Sequence, residues 1–507
     1  NTSGYNNAAF GINALLRNAT GNRNSAFGIN ASRQNTGSNN NAFGFYALKN
    51  NTTNANNAFG FYALSSNTTG RRNSAFGHQS LQQNTIGNQN SAFGYYTLKV
   101  NTTGVNNSAF GHVALRYNTS GYNNSAFGLA SLQINVVGNN NNAFGYYALK
   151  NNTTNNNNAF GSFALASNTT GNANSAFGHS SLKNNTTGVG NSAFGYLALA
   201  SNISGWNNSA FGNGALLANT TGIKNSAFGS VALRYNTVGG RNNAFGFYAL
   251  FRNTADNNNA FGYLALASNT TGNLNSAFGN QALYQNTSGR LNSAFGYFAL
   301  RLNKTGGANT AFGNKALSNN SSGNRSNAFG AYALLNNTTD NNNAFGYLAL
   351  ASNTTGTSNV AVGHQALQYN TIGSDNTAVG LGALLNNTTG GTNTAVGRYA
   401  LLNNTTGYSN TALGVATLQT NTTGIYNVAV GLSALQSNNT GVNNVAVGFG
   451  SLFSNTYGNT NNAFGTYALK NNLTGIDNNA VGAAALQNNT TSGNNAFGRL
   501  ALSSNTT

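Results

Sequence analysis

The chain has 507 residues and a formal net charge of +18, yet only 5% of its residues are charged and it has no Cys, Pro or Met. Absence of Cys excludes a disulfide framework and thiolate metal sites, and a charged fraction far below the roughly 25% of ordinary domains argues against a string of conventional globular units. The 22 basic residues are too thinly spread for a dedicated nucleic-acid groove, and no run of about 18 apolar residues marks a membrane span.

From Ala9-Phe10-Gly11 onward the chain repeats. The tripeptide Ala-Phe-Gly, Ala-Val-Gly or Ala-Leu-Gly closes at Gly11, Gly28, Gly44, Gly60 and so on to Gly498. Thirty such glycines leave twenty-nine spacings, twenty-three of 17 residues and six of 16. So regular a period predicts one continuous array over 1–507 with no internal domain boundary, and it is too short for a helix pair. The expected fold is all-β: a parallel β-solenoid, or β-roll, of about thirty 17-residue coils.

With offsets counted from that Gly, the elements follow in order. Offsets −4 to −1 predict a strand, the Gly a corner, and offsets +2 to +6 a second strand. Asn-Thr-Thr-Gly forms a wider turn, in which Gly is expected to use a positive φ. Offset −2 is Ala and offset +7 is Asn in all thirty units. Offset −4 is Asn except at Ser326, and offset +4 is Leu except at Ser32.

Offset −1 is Phe through Phe345, then Val or Leu in seven of nine units, while offset −3 changes from Ser or Asn to Val or Thr in six of those nine. Alternate strand residues share a face, so this exchange reads as volume compensation, with offsets −3 and −1 filling one interior space. Ala at −2 then faces a second layer or a neighbouring chain, and becomes the expected self-association face. The Asn columns, Asn51, Asn101, Asn152 and Asn185 at +7 and Asn56 and Asn107 at −4, read as amide ladders running from coil to coil. An amide supplies both donor and acceptor.

Asn359-Val-Ala-Val-Gly363, Asn427-Val-Ala-Val-Gly431 and the form running from Asn376 to Leu384 carry a resemblance. They are similar to head repeats of trimeric autotransporter adhesins and to phage tail-fibre-like repeats. The resemblance implies a left-handed β-roll, a homotrimer and a place on a cell surface or virion fibre. The coil here is longer than the typical adhesin coil by the Asn-Thr-Thr-Gly turn. Both ends fall within that turn, at Asn1 and at Asn505–Thr507, which predicts a segment of a longer fibre or head-to-tail abutment.

No catalytic constellation stands out. His78, His112, His179 and His364 all occupy offset +1 on separate coils, and Asp256, Asp340, Asp375 and Asp477 are never paired. No enzyme, cofactor or metal is expected. The expected role is an extracellular fibre or adhesin shaft that acts by rigidity, length and display. The alternative is a carbohydrate- or ice-binding repeat module. Phe45, Tyr46, Phe61, Tyr62, Tyr146 and Tyr147 would form its surface aromatic patch, near the shortened 16-residue spacings. The +7 Asn also matches the N-glycosylation pattern. Residues 1–325 hold nineteen of the 22 basic residues and one Asp, and nine basic residues share offset +5. These read either as edge protection against wrong pairing or as an adhesive face for anionic surface polymers. Thirty coils predict a rod of roughly 140 Å.

Overall fold

The computed structural model describes residues 3–506, in two compact units, one through Asp256 and one from Asn257. Asn1 and Thr507, which carry part of the expectation about the chain ends, lie outside the described residues. Unit one holds fifteen three-residue strands, from β1 (Ala8–Phe10) to β15 (Asn243–Phe245), and unit two fifteen more, from β16 (Asn259–Phe261) to β30 (Asn495–Phe497). Within each unit every strand pairs in parallel and in register with the next coil, so that Ala109 opposes Ala126 and Ala395 opposes Ala412. No helix occurs among the described residues. Each unit is therefore an all-β parallel solenoid, as the period predicts, and fourteen steps between fifteen strands extend it by about 70 Å.

The second strand expected at +2 to +6 is not formed. Three linked reverse turns take its place. In the coil of Gly44, the Ala47 amide donates to Gly44 O (3.3 Å), Lys49 to Tyr46 O (3.3 Å) and Asn51 to Leu48 O (3.2 Å). Tyr46 and Leu48 have φ of 58° and 49°, the left-handed region that the second central residue of a type II turn requires. For a Leu that conformation costs about 1–2 kcal/mol. Full burial of its side chain contributes about 2 kcal/mol, which offsets the strain and explains why Leu holds a position where turn chemistry alone would choose Gly.

The core is also inverted relative to the sequence expectation. From Ala26 to Ala480 every Ala at offset −2 is fully buried, together with Leu at +4 and both Asn columns. Offsets −3 and −1 face outward and are only partly covered. The exchange of Phe for Val is thus an adjustment of the outer face, and the Ala column cannot be a self-association surface because its methyls already fill the interior. The core is narrow, since Ala and Leu opposite the amide ladders leave room for nothing larger.

The Gly of Asn-Thr-Thr-Gly is needed for space and not for φ, since it lies outside the left-handed region. A Cβ on Gly104 would sit 2.5 Å from Gly121 O and 2.8 Å from Asn118 Nδ2. The corner glycines do require a positive φ, 129° at Gly111, and a Cβ there would lie 2.6 Å from Gly128 O.

Candidate functional site

The reverse turns and the wide turn position two polar columns inside the coil. Asn101 Nδ2 donates to Asn84 Oδ1 at 2.7 Å and to Gly104 O at 3.1 Å; Asn185 repeats the pattern at 2.8 and 3.1 Å. At offset −4, the Asn107 amide N and Nδ2 both donate to Asn90 Oδ1, at 3.0 and 3.1 Å, and Nδ2 also reaches Gly121 O at 2.8 Å. Each turn-Gly carbonyl thereby accepts from both ladders: Gly104 O takes Asn101 Nδ2 and Asn90 Nδ2. These groups lose water entirely, so each bond matters by the 1–3 kcal/mol that an orphaned partner would cost. The ladder amides, buried and fully engaged, leave no free Nδ2 for a glycan at Asn101 or Asn185.

Shortened coils keep the scheme by substitution. Where the turn reads Asn51-Thr-Thr-Asn54, the Thr53 carbonyl replaces the missing Gly carbonyl and accepts from Asn51 Nδ2 (2.7 Å) and Asn40 Nδ2 (2.8 Å). Asn56 Nδ2 crosses to Asn51 Oδ1 (3.1 Å), tying one ladder to the other. Asn157 does the same to Asn152 (3.0 Å), whose link back to Asn135 is stretched to 3.5 Å. The residue after the trimmed turn is Ser38, Asn54, Asn155, Asp256, Asp340 or Ser492 in the six short coils. In each, its side-chain oxygen accepts an amide of the preceding coil, such as Ser38 N on Asn54 Oδ1 (2.7 Å), Gly240 N on Asp256 Oδ1 (2.7 Å) and Ile476 N on Ser492 Oγ (3.0 Å). Two of the four Asp are accounted for in this way.

The aromatic residues singled out in the sequence lie at the surface, and the structure enlarges their group. Phe61 and Tyr146 are exposed, while Phe45, Tyr46, Tyr62 and Tyr147 are half-buried. At offset +1, Phe45, Phe61, His78, Tyr95 and His112 form one run of stacked rings with centroids 5.1–5.3 Å apart. His78 and His112, which looked like isolated corner residues, belong to this stack, while His179 and His364 lie against Tyr196 and Tyr347 on other coils; register alone could have placed them there. Because the rings lie face to face, the faces on which a sugar would stack are taken up by neighbours, and edges point outward. The Tyr146–Tyr147 pair sits apart from that run, with centroids 4.0 Å apart and Phe163 edge-on at 5.2 Å.

Beside these rings, cations at +5 lie over aromatic residues at +2. Lys49 Nζ is 4.5 Å from the Tyr46 centroid, Lys99 4.3 Å from Tyr96, and Lys150 4.5 Å from Tyr147. The Arg116 guanidinium stands 5.0 Å from both Tyr96 and Tyr117. A hydrogen bond to Tyr96 raises the Tyr95 phenol above its ordinary pKa, with desolvation adding and Arg116 opposing.

Thr hydroxyls at +8 are consumed within the array: Thr85 Oγ1 donates to Thr102 O (3.1 Å) and Thr102 Oγ1 to Thr119 O (3.2 Å). Among the described residues, no group of three or more His, Asp, Cys or Glu is placed to hold a metal ion. No helix there is long and apolar enough to cross a membrane. No family model matches the chain, and no curated protein matches it.

Proposed function

We propose that the chain is a non-catalytic structural array, part of an extracellular fibre or adhesin shaft on a cell surface or virion, acting through stiffness and length. The supporting observation is the coil-to-coil bonding. Each coil repeats the same two amide ladders and the same parallel strand, so every added coil brings the same bonds and extends the array by the same increment. Self-association, as a trimer or as a head-to-tail filament, would use the outer face carrying Phe and Val, since the Ala column is interior. A glycan-binding role finds less support, because the exposed rings cover one another's faces.

Length is the property to test. Duplicating the six-coil block from Gly145 to Gly246, 101 residues, should lengthen the particle seen by electron microscopy by about 29 Å without widening it. A globular or flexible particle, or one that widens without lengthening, would sink the reading. Antibody labelling of intact producing cells or virions should reach the array; labelling only after lysis would refute the extracellular placement.

A further inference from the structure

We propose that the corner of unit one bearing offsets +1, +2 and +5 is a docking track for an acidic polysaccharide carrying one carboxylate per disaccharide. The inference stands independently of the fibre reading.

Charge comes first. Seven of the fifteen coils in unit one place Lys or Arg at +5, from Arg33 to Arg234, whereas unit two has only Arg301 and Lys470 there. All four Asp lie in or beside the wide turn, so no acid on the +1 to +6 stretch of any coil neutralises these cations. In unit two, Arg301 Nε already donates to Gln281 Oε1 at 3.0 Å.

Posture follows. Lys49, Lys99 and Lys150 each rest on the ring three residues earlier in their own coil, 4.3–4.5 Å from its centroid. Lys183 lies over Phe163 of the preceding coil at 5.4 Å. A cation on a ring keeps one side open to a ligand and has less side-chain freedom to lose on binding.

Spacing selects the partner. The six gaps from Arg33 to Arg234 are 1, 3, 1, 2, 2 and 3 coil steps, a mean of two coils, about 10 Å, per charge. One strand of nucleic acid carries a phosphate every ~3.4 Å, so such a column would leave most phosphates unmatched. An extended, flexible polysaccharide with one uronate per disaccharide has a charge interval comparable to the two-coil mean and can bend to meet gaps of one to three coils. The neighbouring ring stack offers edges and the Tyr95 hydroxyl instead of open faces, so charge, and not sugar stacking, is the source of affinity.

The test uses the full chain and immobilised hyaluronan, with a neutral glucan and single-stranded DNA as comparators at equal ionic strength. The variant Lys49→Gln/Lys99→Gln/Arg116→Gln/Lys150→Gln should bind hyaluronan about tenfold more weakly. The variant Arg71→Gln/Arg72→Gln/Lys224→Gln/Arg241→Gln removes the same charge from the wide-turn edge and should stay within about twofold. Lys49→Arg/Lys99→Arg/Lys150→Arg should bind like the parent. Equal losses in the two Gln variants would overturn the track in favour of net charge alone, as would tighter binding to DNA or glucan, or no binding to hyaluronan. Should the first variant lose the parental circular dichroism, Lys99→Gln and Arg116→Gln read singly against Arg71→Gln carry the same comparison.

Discussion

Unit one and the later part of unit two are built on the same interior and wear different exteriors. In unit one the offset −1 column is fifteen Phe, and from Phe27 to Phe245 the rings stack at 4.6–4.8 Å with interplanar angles below 10°. In unit two Phe345 pairs with Val362, and five further coils carry Val or Leu as far as Val447. Ala at −2, Leu at +4 and both Asn columns are equally buried in the two regions. The interior is set by the residues that do not vary, and the outer strand face is free to choose between two solutions. Stacked rings go with small polar neighbours at −3. Where two such neighbours in adjacent coils are Asn, they hydrogen-bond on the surface, as Asn41 to Asn57 (2.8 Å) and Asn142 to Asn158 (2.8 Å). The β-branched solution pairs Val at −1 with Val or Thr at −3, side chains that suit a pleated, half-covered surface.

If that division is right, lesions in the shared interior should cost the same in both regions. Asn107→Leu and Asn393→Leu each remove an Oδ1 that accepts a neighbouring coil's amide N and Nδ2. Each should destabilise its coils by about 4 kcal/mol, two orphaned buried donors. Gly104→Ala and Gly390→Ala force a methyl against a neighbouring carbonyl and ladder amides and should cost about 3 kcal/mol apiece. Hydrogen exchange of the flanking coils reads these effects locally. A difference above about 1 kcal/mol between paired variants would mean that the outer face also supports the interior.

The outer face should respond unequally. Phe110→Ala breaks two ring stacks, at 4.6 and 4.7 Å, and should cost about 2 kcal/mol, discounted for its partial exposure. Val396→Ala removes two partly exposed methyls and should cost under about 1 kcal/mol. Equal losses on exchange protection would show that the ring column contributes no more than any apolar cover.

Much of this architecture was legible in the repeat. The period fixes one coil per repeat, and the unvarying Asn fix the ladders, because few groups both donate and accept in one column. The facing of the strand was not legible. Covariation of −3 with −1 is expected of neighbours on any surface, inside or out, and Ala is as common in a narrow interior as at a tight interface. The second strand failed for another reason. Offsets +2, +4 and +6 mimic the two-residue alternation of a strand, and a Leu gives no sign that it will take φ near 50°. The aromatic patch was seen only in part: Phe45, Phe61 and Tyr146 were visible, but His78 and His112 join the stack through register, which isolated motifs conceal.

The two exceptions to the repeat sharpen the rule for the interior, one in each unit. Ser326 replaces a ladder Asn. Its Oγ accepts the Asn342 amide at 3.2 Å and reaches Thr339 O at 3.3 Å, longer bonds than an Asn makes. Ser32 replaces the core Leu, is 1% exposed and leaves its Oγ without a partner. Ser326→Asn and Ser32→Leu should therefore each stabilise by about 1 kcal/mol or more, seen as slower exchange in the adjacent coils. Unchanged or faster exchange would mean the local backbone has adapted to Ser.

The smallest expected effect compares tyrosine pairs on the two exteriors. Tyr95 and Tyr146 in unit one, and Tyr408 in unit two, are held above the ordinary value of 10.0, in each case first by a hydrogen bond with a neighbouring phenol, that of Tyr96, Tyr147 or Tyr426. Desolvation is the next cause for Tyr95 and Tyr146, and repulsion from the partner phenolate for Tyr408. The sign follows from linkage. In the unfolded chain these phenols ionise near 10, while the folded chain still holds the protons, so stability is intact below pH 10 and falls as pH rises above it. Phenolate absorbance should show Tyr95 titrating late, and Tyr96→Phe should bring it back down by removing its main cause. Arg116→Gln should push Tyr95 higher, since that guanidinium alone opposes the shift, and should leave Tyr408 unmoved. A Tyr95 curve that matched free tyrosine, or a Tyr408 that followed Arg116, would show that the neighbouring phenol is not what raises these groups.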